Sequence, residues 1–260
     1  MRKALFVALL LPALAWAAES PFTGTWKVDL GKIQLPEKPD TWVLQNGRYQ
    51  CTTCVPAIDV MADGTDQAVK GSKYFDTMAV KVVDDKTIEL TTKKAGRVTG
   101  MEKRVLSADG KAVTLEYTGH PEGSQQPVTV RGTMTRVGPG PAGSHGASGS
   151  WRTTKFDQAS DNALLVTFKG SAEGLMMTAP TGESYDAKFD GKDYAVKGDP
   201  GGSVVSLKKV DDHTIVETTK RDGKIVSITS MTVSADGKSL TAKSEDKERG
   251  TTSTWVATKQ

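Results

Sequence analysis

Cys51-Thr52-Thr53-Cys54 is the most pointed chemical motif of this chain, and it holds both of its cysteines. Two thiols at this spacing can form a disulfide, a redox couple or half of a metal site. On a regular strand, residues three apart face opposite sides, so a bond between them needs a turn, with which Pro56 is compatible. A thioredoxin-like couple needs a βαβ unit and a helix N-terminus to lower a thiol pKa, and the surrounding sequence supplies neither. Haem attachment would require His after the second cysteine, where Val55 stands, and zinc would need two further ligands. In an oxidising compartment the expectation is a structural Cys51–Cys54 disulfide, with redox activity as the open alternative.

The remaining reactive side chains are dispersed. His120 lies in Gly-His-Pro, His145 in a Gly/Pro-rich stretch and His213 after Asp211-Asp212, so no two have a metal-ligand spacing. Neither a metal nor a cofactor is expected. The pairs Asp84-Asp85 and Asp211-Asp212 sit where hairpin turns are predicted and read as solvated turn formers. Gly138, Gly140 and Gly143 match G-x-G-x-x-G, but Pro139 and Pro141 remove backbone donors and no helical pattern follows, so no dinucleotide is expected there. Met176 and Met177 are neighbours on a predicted strand and must point opposite ways, so at most one can face an interior. No catalytic residue is assigned: no nucleophile–base constellation is visible, and the enzyme question stays open on the side of non-catalytic readings.

These residues must be carried by elements built in an exported protein. Met1-Arg2-Lys3 followed by an apolar run and Ala15-Trp16-Ala17 reads as a signal peptide, residues 1–17, cleaved after Ala17. The run is too short to remain as a membrane span, so no integral membrane segment is expected after processing, and the location is periplasmic or secreted. Cleavage removes two of the 34 basic side chains and none of the 31 acidic ones, lowering the formal charge from +3 to +1. With Lys, Asp and Glu interspersed, nucleic acid is not expected as a partner.

Self-comparison sets the domain organisation. A shift of 127 residues aligns Lys81–Thr114 with Lys208–Thr241 at 16 identical positions, including Ser-Ala-Asp-Gly-Lys at 107–111 and 234–238. Nearer the start a shift of 125 pairs Gly24-Thr25-Trp26 with Gly149-Ser150-Trp151. The mature chain therefore reads as a first repeat over 18–136, a Gly/Pro linker over 137–146 and a second repeat over 147–260. Within each repeat, alternating runs such as Val113, Leu115 and Tyr117 predict half-buried strands, and Asp109-Gly110, Asp222-Gly223 and Asp236-Gly237 predict type I′ hairpins. Lys94-Ala95-Gly96-Arg97 predicts a related turn without the Asp. Many antiparallel strands in so short a unit hide their edges by closing, which predicts an all-β protein of two tandem up-and-down barrels.

The Gly-x-Trp opening of each repeat, at Gly24-Thr25-Trp26 and Gly149-Ser150-Trp151, resembles that of the calycins, the superfamily of lipocalins, fatty-acid-binding proteins and avidins. The tandem layout resembles exported bacterial lipocalin-like proteins. The resemblance implies that Trp26 and Trp151 plug the closed ends of their barrels, with Arg136 over the ring in copy one and Lys259 the nearest counterpart in copy two. It also implies a small apolar or amphipathic ligand held in a barrel. The alternative is a non-catalytic envelope protein with filled barrels, whose loops meet a protein or glycan and whose tethered modules raise effective concentration; no particular protein partner is indicated.

Overall fold

The computed structural model describes residues 20–260; the expected signal peptide at 1–17 and its cleavage site lie outside them. The first repeat contributes β1 (Gly24–Val28), β2 (Asp40–Gln45), β3 (Arg48–Cys51), β4 (Ile58–Met61), β5 (Gln67–Ala68), β6 (Thr77–Val82), β7 (Thr87–Lys94), β8 (Arg97–Leu106), β9 (Ala112–Gly119) and β10 (Val128–Pro139). The second contributes β11 (Gly149–Ala159), β12 (Leu165–Gly170), β13 (Gly174–Thr178), β14 (Ser184–Lys188), β15 (Tyr194–Ala195), β16 (Val204–Lys209), β17 (Thr214–Arg221), β18 (Lys224–Val233), β19 (Ser239–Asp246) and β20 (Thr251–Lys259). Among the described residues helix is confined to a 3-10 turn at Leu30–Lys32 and one turn, α1, at Asp161–Leu164. No helix among the described residues is long and apolar enough to cross a membrane.

The strands form two ten-stranded antiparallel sheets, each curled into a nearly closed barrel, as the strand pattern predicts. In the first barrel the order is β4-β3-β2-β11-β10-β9-β8-β7-β6-β5, and in the second β14-β13-β12-β1-β20-β19-β18-β17-β16-β15. Bridges between Asp63 and Lys81, and between Ser184 and Lys197, bring the ends of each sheet together. Each barrel has its own apolar core, one around Trp42, Tyr49, Val80, Ile88 and Trp151, the other around Trp26, Phe168, Leu207, Ile215 and Leu240.

The sheets do not share boundaries with the sequence repeats. Strand β1, from the first repeat, pairs with β12 and β20 of the second barrel. Conversely, β11, from the second repeat, pairs with β10 and β2 of the first. Each barrel thus receives its Gly-x-Trp strand from the other repeat. The segment 137–146, read from sequence as a linker, ends β10 and then closes the β10–β11 hairpin. The loop is tied down by Ser144 N–H to Pro141 O at 3.1 Å and by His145 N–H to Leu44 O at 2.8 Å. A strand that follows its neighbour through so short a loop meets it first, which favours the β10–β11 hairpin over a separate second unit.

The turns follow their residues with one correction. Asp222-Gly223 and Ala95-Gly96 have positive φ at both positions (49° and 76°, 48° and 80°), as type I′ requires. At Asp109-Gly110 and Asp236-Gly237 only the glycines do (70° and 68°). There the loop is longer: Asp109 accepts from Lys111 N–H at 3.0 Å and Asp236 from Lys238 N–H at 3.1 Å. Gly110 N–H also returns to Ser107 O at 3.0 Å, so the glycine alone takes the left-handed position.

Candidate functional site

Strand β8 shows how the first barrel acquires its site. Its buried and inward positions alternate through Gly100, Glu102, Arg104 and Leu106, so two charged residues stand at core parity. Arg104 is only 9% exposed and stacks over Trp42 at 4.0 Å. Its Nη1 donates to Tyr49 Oη at 2.9 Å, and its Nε is ion-paired with Glu102. Burial alone would lower the Arg104 pKa, but the Glu102 carboxylate and the Tyr49 oxygen reverse the effect and hold it above its ordinary value. Burial also raises the Tyr49 phenol. A buried charge needs such a partner, and Glu102 and Tyr49 supply it at Nε and Nη1 of Arg104.

The triad faces a cavity of about 330 Å³ whose apolar walls include Ile58, Phe75, Met78 and Leu90. This volume falls at the small end of ligand pockets. Tyr117 and Gly100 lie toward the mouth, where the aromatic ring covers the cross-strand pair Gly100–Gly119. A Cβ on Gly119 would come within 2.9 Å of that ring, so the glycine gives the tyrosine its seat. The rim is completed by Asp246, Glu248 and Arg249 from the β19–β20 turn of the other barrel. Arg249 bonds Asp40 at 3.0 Å, and its carbonyl accepts from Lys38 Nζ at 2.6 Å. Glu248 pairs with Arg221 at 3.2 Å. A larger cavity, about 670 Å³, lies in the second barrel among Lys209, Asp211, Asp212 and His213 and reaches fewer core side chains.

On the far side of Arg104 two tryptophan rings stack. Trp42 and Trp151 lie 5.7 Å apart at 14°, and Arg136 covers Trp151 at 4.2 Å. Arg136 also donates to the carbonyls of Gly110, Ser148 and Gly146 at 2.7, 2.6 and 2.6 Å. The contacts therefore run Arg136–Trp151–Trp42–Arg104 and end at the cavity. Arg136 thus lies over the Gly-x-Trp ring that the other repeat supplies, and in the second barrel Lys259 Nζ stands 5.5 Å from Trp26. Trp26 and Trp151 are both fully buried and donate Nε1 to Phe22 O and Ala147 O, at 2.8 and 3.0 Å.

The other residues singled out in the sequence lie apart from this centre, except for Cys54. Cys51 and Cys54 form the disulfide, with Cα atoms 5.5 Å apart. Cys51 belongs to the first core, and Cys54 reaches the cavity. His145 is a structural clamp: Ala147 N–H donates to Nδ1 at 3.1 Å, so Nε2 carries the proton given to Asp84 O at 2.7 Å. Asp84 and Asp211 accept backbone N–H bonds from Lys86 and His213, both at 2.8 Å, as turn formers do. Met177 packs on the second core while Met176 is exposed. No cluster of metal-binding side chains occurs among the described residues.

The two barrels differ where the first has its polar triad. The 127-residue shift places Met231 at the position of Arg104, Thr229 at Glu102, Ser244 at Tyr117 and Glu217 at Leu90. Tyr185 Oη donates to the Glu217 carboxyl at 2.6 Å. Burial raises the Glu217 pKa against the lowering effect of hydrogen bonds from Tyr185 and Thr219. Neither the Arg104 triad nor the Tyr185–Glu217 pair was singled out from sequence. The signal was present as a charged residue at an inward position of an alternating strand.

No family model, no curated protein and no solved structure matches this chain. The class defined by the fold is a tandem antiparallel β-barrel protein with strands exchanged between its two repeats.

Proposed function

We propose that this is an exported, calycin-like protein that holds one small amphipathic ligand in its first barrel. The observation that carries the reading is the cavity of about 330 Å³, whose apolar walls surround the buried Arg104 and Tyr49 with the half-buried Glu102 beside them. Apolar surface with a few fixed polar groups binds and orients a ligand at once. The Gly-x-Trp strands and the Arg136–Trp151–Trp42 stack support the calycin-like reading, and the apolar start at residues 4–16 supports export. The second barrel serves as a partner that lends its β19–β20 turn to the rim.

The test uses the mature protein and the fluorescent apolar probe N-phenyl-1-naphthylamine. The expected result is saturable enhancement, weakened at least about tenfold by Thr92→Phe, which places a ring in the cavity and whose retained fold is checked by circular dichroism. Absence of saturable binding would refute the reading and favour filled barrels that present loops to a protein or glycan. A mature chain beginning at Ala18 would bear out the export step.

A further inference from the structure

The hydrogen bonds of Arg104 leave one part of it unused. Nε serves Glu102 and Nη1 serves Tyr49, whereas Nη2 has no acceptor among the described residues and is not sealed from solvent. Arg104 lines the cavity, so the cavity is where an acceptor would meet Nη2. A guanidinium has five N–H donors, and those of Nη2, bonded to no protein acceptor among the described residues, are free to take one from a ligand in exchange for water.

The charge balance defines that acceptor. Glu102 already neutralises Arg104. At the rim, Arg249 is matched by Asp40 and Glu248 by Arg221. Asp246 has no cation partner among the described residues and caps the N–H groups of Glu248 and Arg249, both at 2.9 Å. An entering anion would therefore meet a compensated arginine with Glu102 beside it and a further carboxylate above. In a partly buried site that repulsion is costly. A neutral carbonyl oxygen takes the same N–H bond without it.

Building on the proposed ligand-binding role, we infer that the ligand presents a neutral carbonyl, as in an ester, amide or ketone, to Arg104 Nη2. Its apolar part lies against Phe75, Met78 and Leu90. Glu102 is then the residue that sets specificity, by cancelling the charge that would otherwise select a carboxylate.

The experiment is displacement of N-phenyl-1-naphthylamine by methyl octanoate and by octanoate, at about pH 7.5, with wild type and Glu102→Gln. In wild type the ester should displace the probe at a concentration at least about tenfold lower than the carboxylate. Glu102→Gln keeps an oxygen that can accept from Arg104 but removes the charge, and it should erase or invert that preference. Octanoate equal to or better than the ester in wild type would overturn the inference while leaving the ligand-binding reading intact. So would an unchanged preference in Glu102→Gln. If the probe itself does not bind, the ligand-binding reading fails and the inference falls with it.

Discussion

Replacing Trp26 by alanine should destabilise the second barrel, although Trp26 belongs to the first sequence repeat. Trp26 is fully buried, lies opposite Val166 and Lys259, and donates Nε1 to Phe22 O at 2.8 Å. It packs in the core that contains Phe168, Leu207, Ile215 and Leu240. Removing a buried Trp side chain costs about 3–5 kcal/mol, through lost burial and the cavity left behind. At about 1.4 kcal/mol per decade, local opening should rise by roughly two to nearly four decades. Hydrogen–deuterium exchange followed by mass spectrometry reads this segment by segment. Protection should fall in peptides from 165–259 and persist in 40–139, while Trp151→Ala should give the converse pattern. Loss of protection in 40–139 on Trp26→Ala would refute the strand exchange.

Further perturbations probe the supports of both barrels. Arg136→Met removes three short hydrogen bonds to carbonyls and should cost about 2–3 kcal/mol, whereas Lys259→Met, with no hydrogen bond from its Nζ among the described residues, should cost less than about 1 kcal/mol. Urea unfolding would measure both. The Glu217 pKa is raised in the fold, so its contribution is stabilising below the ordinary value of 4.5 and is lost as pH rises through the folded value. Glu217→Gln removes that loss, and its stability relative to wild type should therefore be more favourable at about pH 7.5 than at about pH 4. An equal effect at both would contradict the assignment. Opening the Cys51–Cys54 loop by Cys→Ser at both positions should cost about 2 kcal/mol on chain-entropy grounds. A midpoint in urea unmoved by the change would contradict a stapling role.

Much of the scaffold can be read from residue order because it is local. Alternation at Val113 and Leu115 marks a strand, and Ala95-Gly96 and Asp222-Gly223 mark tight hairpins, whichever partner the strands later meet. The strand exchange is different. Gly24-Thr25-Trp26 and Gly149-Ser150-Trp151 are near-copies, so either could complete either barrel by its own pattern. What decides is connectivity: the loop after Pro139 returns directly as β11, and that hairpin leaves β1 to the other sheet. The site was obscured for a related reason. Glu102 and Arg104 look like ordinary surface charges until β8 is placed in a closed barrel, where their parity turns them inward. The asymmetry between Arg104 and Met231 acquires meaning only then.

Native mass spectrometry of the mature protein, purified from the envelope of the cells that make it, tests the proposed ligand-holding role of the first barrel most directly. We predict one bound small molecule per chain, released on denaturation and absent from Thr92→Phe. Repeated preparations carrying no added mass, or an added mass that Thr92→Phe retains in full, would contradict it.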